Sequence, residues 1–213
     1  MLLVEELIYV KNAKKIINEI MEPTKILRKE YKELNKAITD GRHEYHCFYL
    51  ATINIRTPML RTVVLRTFDK NKNSISFHTD LRSNKIKDIK SNYNISALFY
   101  DKKRRVQIRI KGKAMLDENS SELKNIWSTM RAESKLCYMG PFAPGEKLDQ
   151  FQPNLPKHNA QNITTQSNKK GYENFCRVTV QLENLDWLHL DHRGHKRILF
   201  TFDKNSKPTW IAS

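Results

Sequence analysis

Hydrophobic positions in the first forty residues fall three and four apart, and from Tyr45 onward they alternate with polar ones. The first pattern predicts an amphipathic helix over 2–22, with Leu3, Leu7, Val10, Ile16, Ile17 and Ile20 on one face. A second helix is expected over 24–39, carrying Ile26, Leu27, Leu34 and Ile38, with Pro23 closing the first or opening the second. Thr39-Asp40-Gly41-Arg42 breaks the period. Beyond it, HCFYLATINI, LRTVVLRTFD, SISFHTD, NISALFYD, RRVQIRIKGKAML, FCRVTVQLENLDWLHL and RILFTF read as strands. A turn is expected at Arg56-Thr57-Pro58, a short helix from Ser83 to Ser91, more helix over 118–136 and irregular chain over 139–171. Closely spaced strands joined by short turns predict an antiparallel barrel or meander. The chain therefore reads as a helical arm, 1–44, and one barrel domain, 45–213.

Composition narrows the function classes. A length of 213 residues supports one real core. The net charge of +15 and pI near 9.7 invite a nucleic-acid reading. However, the densest basic run, Lys102-Lys103-Arg104-Arg105, is only four residues long, and a basic surface equally attracts a phosphorylated substrate. Nucleic acid is not the expected partner. Cys47, Cys137 and Cys176 are odd in number and widely spaced, which fits neither a disulfide framework nor a metal knuckle. Glu5 and Glu6 interrupt the apolar N-terminus, and no basic n-region precedes it, so no signal peptide is expected. No apolar run reaches membrane-spanning length, and a cytoplasmic, reduced protein is predicted.

Two constellations could carry chemistry. His189, His192 and His195 recur every third residue, with His43 and His46 elsewhere, but they straddle a predicted hairpin where neighbouring side chains alternate faces. With no HExxH pattern beside them, no metal is expected, and no GxSxG elbow supports a nucleophile. The second constellation is anionic recognition. Arg61-Thr62-Val63-Val64-Leu65-Arg66 sets two arginines at the ends of an apolar run. Thr79-Asp80-Leu81-Arg82-Ser83-Asn84-Lys85 opens a helix with hydroxyls and cations. Such donors at a helix N-terminus suit a phosphate, although Ser and Asn there also serve as plain caps.

Taken in order, RTVVLR, FHTDLRSNK, VQIRIKGKA and a Trp187-x9-Arg197 segment containing Arg193-Gly194-His195-Lys196-Arg197 resemble the pyridoxamine 5′-phosphate oxidase family of FMN-binding split barrels. The details are most similar to its Alr4036-type branch, and the terminal Trp210-Ile211-Ala212-Ser213 resembles the family's last strand. The resemblance implies an antiparallel split β-barrel with helices, acting as a homodimer with FMN at the subunit interface. It implies that Arg61, Thr62, Val63, Val64, Leu65 and Arg66 run past the flavin, with His78 and Thr79 as the next contacting pair. Arg82, Ser83 and Lys85 would hold the FMN phosphate, Asn84 standing where the oxidases often have Arg. Gln107 would reach in from the other subunit, and Trp187 and Arg197 would close the site. His78 departs from the oxidases' usual Tyr.

For the substrate, the resemblance implies that Arg193 and His195 face the reacting ring and act in catalysis. Arg66, in place of a Lys, would hold a substrate phosphate together with Trp127, Arg131 and Ser134; Trp127 stands where the oxidases use a Tyr hydroxyl. The function implied is oxidation of pyridoxamine or pyridoxine 5′-phosphate, with hydride passing to FMN N5 and then electrons to O2. Two alternatives stand beside it: an FMN oxidoreductase of the same fold linked to a nicotinamide or deazaflavin, and a non-enzymatic basic binding module.

Overall fold

The computed structural model describes residues 22–118, 120–157 and 159–213. The helix expected over 2–22 lies outside them, but helix α1 (residues 22–39) is present, with Pro23 in its first described turn. Its Leu34 and Ala37 are fully buried in the main core, so α1 is part of the folded body.

Nine strands form one antiparallel sheet curled on itself: β1 Cys47–Asn54, β2 Thr57–Val64, β3 Thr67–Asp69, β4 Ser74–Asp80, β5 Asn94–Asp101, β6 Val106–Asp117, β7 Phe175–His189, β8 Lys196–Thr201 and β9 Thr209–Trp210. The order is β2-β1-β5-β6-β7-β4-β3, with β8 joining β7 and β9 joining β8. The split arises on β7. Its first half pairs with β4, from Phe175 to Gln181, and its second half pairs with β8, from Asn184 to His189. Both halves pair with β6 on the other edge, and the ladder shifts register at Lys111/Gly112. A Cβ at Gly112 would sit 2.3 Å from the Gln181 carbonyl oxygen, so the two strands meet there only because position 112 has no side chain. This is the expected antiparallel split barrel with helices.

Alternation explains the core. Phe48, Leu50, Phe77, Phe99, Ile108 and Ile110 all point inward, Phe48 stacking on Phe99 at 4.7 Å. A smaller core of Leu123, Trp127, Met139 and Phe175 lies beneath α3 (Ser121–Thr129) and α4 (Ala132–Leu136).

Four expectations are corrected. The turn after β1 is Ile55-Arg56, and Pro58 lies within β2. The run LRTVVLRTFD is two strands, broken at Leu65-Arg66, where the Arg66 N–H donates to the Ser76 carbonyl and bends the chain onto β4. The helix expected from residue 118 begins at Ser121 and forms two segments, α3 and α4, parted at Met130-Arg131. The stretch 139–171 is irregular only in part, because α5 (Thr165–Asn174) begins inside it. A reciprocal cap starts α5: the Thr164 hydroxyl accepts from the Ser167 N–H, and the Ser167 hydroxyl accepts from the Thr164 N–H. The remaining helix, α2 (Asn84–Ser91), matches its expected place.

Candidate cofactor and substrate site

The turn from β4 into α2 builds a cationic cradle. Ser83 precedes the helix, but its hydroxyl donates to the Asp80 carbonyl at 2.7 Å and leaves the helix N–H groups uncapped. No acidic residue occupies the first helical turn. Lys85 reaches back to the Thr79 hydroxyl at 3.0 Å, and Thr79 lies 3.3 Å from the Ser83 hydroxyl. Burial, then the nearby Arg61 guanidinium, lowers the Lys85 pKa. Among the described residues no carboxylate forms an ion pair with Lys85. Arg61 is aimed by its own partners: Nη1 donates to Thr52 Oγ1 at 2.5 Å, and Nη2 lies 3.3 Å from the buried Asp88 carboxylate. Two crowded cations, two hydroxyls and an uncapped helix start fit the phosphate of FMN, a dianion that rewards several charge-assisted donors.

Arg82 goes elsewhere. It clamps the buried Asp80 carboxylate (2.7 Å) and donates Nη1 to the Gly140 carbonyl at 3.0 Å. A buried carboxylate requires a cation, so Arg82 is not available as the phosphate ligand expected from the sequence. Along β2 the faces alternate as the register demands. Val63 and Leu65 are core side chains, whereas Thr62 and Val64 share the outward face with Tyr49 and Cys47.

Beside the cradle opens a second feature, a cleft of about 780 Å³. His78 lines it and Thr79, the next residue on β4, belongs to the cradle, so the two side chains leave opposite faces of the same strand. The cleft brings together Arg66, His78, Arg131 and Ser134, from the β2–β3 link, β4 and the α3–α4 region. Thr39, His46, Thr129, Cys137 and Tyr138 complete its polar and reactive wall, and among the described residues no Asp or Glu lines it. Among the described residues neither Arg66 nor Arg131 forms a salt bridge, as is also true of Arg28, Arg42, Arg56 and Arg105, whereas the phosphate-cradle Arg61 and the neighbouring Arg82 do. Burial, followed by the charges of Arg66 and Arg177, pushes His78 down to about 4, so it is neutral at physiological pH.

Trp127 is close by but serves the small core. It is buried against Phe175, and its indole N–H donates to Asn168 at 3.1 Å, so the side chain expected to hold substrate is engaged internally.

The remaining expected residues lie apart from cradle and cleft. Gln107 and Arg197 line an outward groove of about 670 Å³ with Tyr49, Leu60 and Leu98. There Asp186 grips Arg197 through both oxygens, at 2.9 and 2.7 Å, and also binds Arg109. Trp187 is one residue on and therefore faces the opposite side of β7. It is buried under α1, where its N–H donates to Glu30 at 3.2 Å. Glu30 also takes Arg104 and the Tyr45 hydroxyl, a buried polar knot that no sequence motif announced. Arg193 and His195 sit on the exposed β7–β8 hairpin, where the Arg193 guanidinium pairs with Asp191 at 3.2 Å and His195 Nδ1 accepts from the Asp191 N–H. The cleft, the outward groove and the cavity beside Arg193 share no lining residue.

Comparisons with known proteins bear on the family and the fold. Residues 28–117 match the family model "Pyridoxamine 5′-phosphate oxidase, FMN-binding domain". The chain is 27% identical over 175 residues to pyridoxine/pyridoxamine 5′-phosphate oxidase 2 of Arabidopsis thaliana, covering 78% of this chain and 84% of the relative. Among solved structures, a pyridoxamine 5′-phosphate oxidase-related, FMN-binding protein of Nostoc punctiforme superposes with a TM-score of 0.62 at 22% identity, covering 85% of this chain and 93% of that one. PhzG of Burkholderia lata, solved with tetrahydrophenazine-1-carboxylic acid, gives the same TM-score at 16% identity, with coverage of 90% and 93%. At these identities the two structures speak to the fold alone.

Proposed function

We propose, from the match of residues 28–117 to the FMN-binding domain of the pyridoxamine 5′-phosphate oxidase family, that the protein oxidises pyridoxamine or pyridoxine 5′-phosphate to pyridoxal 5′-phosphate. The observation that carries this reading is the carboxylate-free cleft beside the cradle, with Arg66 and Arg131 unpaired within it. Bound FMN supplies a two-electron acceptor that dioxygen can reoxidise. Arg61, Ser83 and Lys85 hold its phosphate. Arg66, Arg131 and Ser134 hold the phosphate of the substrate, and a fork of two guanidinium groups fixes its orientation toward β4.

The site is completed by a second copy of the chain. Gln107, Arg197, Arg193 and His195 line neither the cradle nor the cleft of their own chain, and the outward groove is rimmed by exposed Tyr49 and Leu60. Pairing two such faces buries that apolar rim and brings Gln107 and Arg197 to the partner's flavin. Among the described residues no helix is long and apolar enough to cross a membrane. Function in the cytoplasm is part of the same proposal.

A second reading is favoured by Trp127, which offers no hydroxyl and is tied to Asn168: an oxidoreductase of the same cofactor acting on another small anion, fed by a nicotinamide or deazaflavin. Anaerobic mixing separates the two. Bleaching of the flavin by pyridoxamine or pyridoxine 5′-phosphate, with pyridoxal 5′-phosphate and peroxide formed after air is admitted, supports the oxidase. Bleaching by a reduced nicotinamide or deazaflavin but by neither vitamer replaces it with the second reading.

A further inference from the structure

The cleft is rich in hydrogen-bond donors, which is what a phosphate requires. The reacting end of a phosphorylated amine or alcohol is different: it carries N–H or O–H and needs an acceptor. His46 supplies one. It lies just before β1, and its carbonyl accepts the Leu65 N–H at 2.8 Å, which ties it to the residue preceding Arg66. Its Nδ1 stands 2.6 Å from the Ala37 carbonyl oxygen in the last turn of α1. A carbonyl only accepts, so Nδ1 carries a ring proton, and in its neutral form the imidazole presents Nε2 as a lone-pair acceptor. Among the described residues Nε2 has no hydrogen-bond partner. Gly41 keeps its approach open, since even an added Cβ there would stay 4.0 Å away.

We propose that His46 is a catalytic residue whose Nε2 accepts the proton leaving the substrate's amine or alcohol as that group is oxidised. The assignment rests on the oxidase reading. For the alcohol, the O–H bond breaks with its proton going to Nε2, while the adjacent C–H bond leaves as hydride to the flavin and C=O forms. For the amine, the N–H proton goes to Nε2, the adjacent C–H hydrogen leaves as hydride to the flavin, C=N forms, and water then hydrolyses it to the aldehyde and ammonia. The imidazolium returns its proton to solvent.

The other groups facing His46 are accounted for. Arg66 and Arg131 are arginines, which do not titrate in proteins. His78 on β4 stays neutral down to about 4. Burial pushes the Tyr138 hydroxyl far upward. The neighbouring His43 is held by Glu33 at 3.0 Å. Cys137 remains, and its replacement is the control.

The test uses the FMN-loaded protein, mixed anaerobically with pyridoxine 5′-phosphate over a range of pH. His46→Asn keeps a donor for Ala37 and deletes Nε2. It is expected to bind FMN as the wild type does, to bleach roughly 100-fold more slowly, and to lose the rise of rate with pH that Cys137→Ser retains. In the wild type with its flavin reduced beforehand, so that no turnover occurs, the ¹⁵N resonance of His46 Nε2 is expected to move when pyridoxine 5′-phosphate is added, and to stay in place with 4-deoxypyridoxine 5′-phosphate, which lacks the reacting hydroxyl. Retention of the pH-dependent rise by His46→Asn, or an Nε2 unmoved by pyridoxine 5′-phosphate, overturns the assignment while the oxidase reading survives. A wild type that neither vitamer bleaches overturns both. Loss of FMN binding in both His46→Asn and His46→Gln makes the role structural and also overturns it.

Discussion

Lys85 and Arg82 show how far one position decides a side chain's work. They lie three residues apart and carry the same charge, yet Lys85 touches only a hydroxyl while Arg82 is locked on Asp80 and Gly140. Replacing Lys85 with Ala is expected to weaken FMN binding tenfold to a hundredfold, the effect of about 1.5–3 kcal/mol for one charge-assisted contact, with the fold unchanged. Titration of the apoprotein with FMN measures it, and an unaltered affinity removes Lys85 from the site. Arg82→Ala should act on stability instead. It leaves the Asp80 carboxylate buried without its cation, at about 3–5 kcal/mol, and thermal unfolding will register the loss. The sequence marked both residues as anion ligands because type and spacing were all it displayed. What separated them is the buried Asp80 carboxylate together with the Gly140 carbonyl, 58 positions from Arg82, both of which engage its guanidinium.

At the scale of elements, strands were the most legible, because a period of two survives wherever one face is buried. SISFHTD and NISALFYD fold over the residues read from their alternation. The break at Leu65-Arg66 was not legible, since β-forming residues run through it and only the bond to Ser76 reveals the bend. Helix α5 was missed for the opposite reason: it buries only Gly171, so no apolar stripe announced it, although the Thr164/Ser167 pair was there to be read as a cap. The cationic character of the site was legible in RTVVLR and TDLRSNK. Its acid-free cleft was not, because its walls come from segments between residues 38 and 138. The β6–β7 crossing makes its own prediction. Gly112→Ala forces a Cβ toward the Gln181 carbonyl in the middle of the sheet. A cost of about 1–3 kcal/mol is expected, seen as a fall in Tm of roughly 2–4 °C per kcal/mol. An unchanged Tm would mean the strands separate there without strain.

For the molecule as a whole, protonation and assembly are the levers. His78 titrates at about 4 in the folded chain against an ordinary value near 6.5. Above that ordinary value both states hold it neutral and it adds no slope. As pH falls from about 6.5 to 4, the unfolded chain takes up a proton that the folded chain refuses, and stability drops by roughly 3 kcal/mol. Denaturant midpoints for wild type and His78→Gln should therefore converge at pH 5 relative to pH 7.5; parallel curves would refute the assigned environment. Assembly follows the same linkage logic. If Gln107 and Arg197 complete the partner's flavin site, FMN stabilises the dimer, and sedimentation should show association strengthening with added FMN. A monomer that binds FMN at full strength contradicts it. Arg193→Ala should keep colour and dimer while lowering turnover, since this hairpin lies far from the cradle of its own chain.

The absence of any carboxylate from the cleft has a practical consequence. A wall of arginines and hydroxyls with no acid to repel small anions does not distinguish one phosphate from another by charge. Inorganic phosphate and sulfate are therefore competitors, and the apparent KM for a phosphorylated substrate will climb in proportion to their concentration. Rates compared at equal ionic strength in a phosphate buffer and in a zwitterionic sulfonate buffer will differ for this reason alone. In a cell holding millimolar free phosphate, the working affinity is set by that competition as much as by the substrate itself.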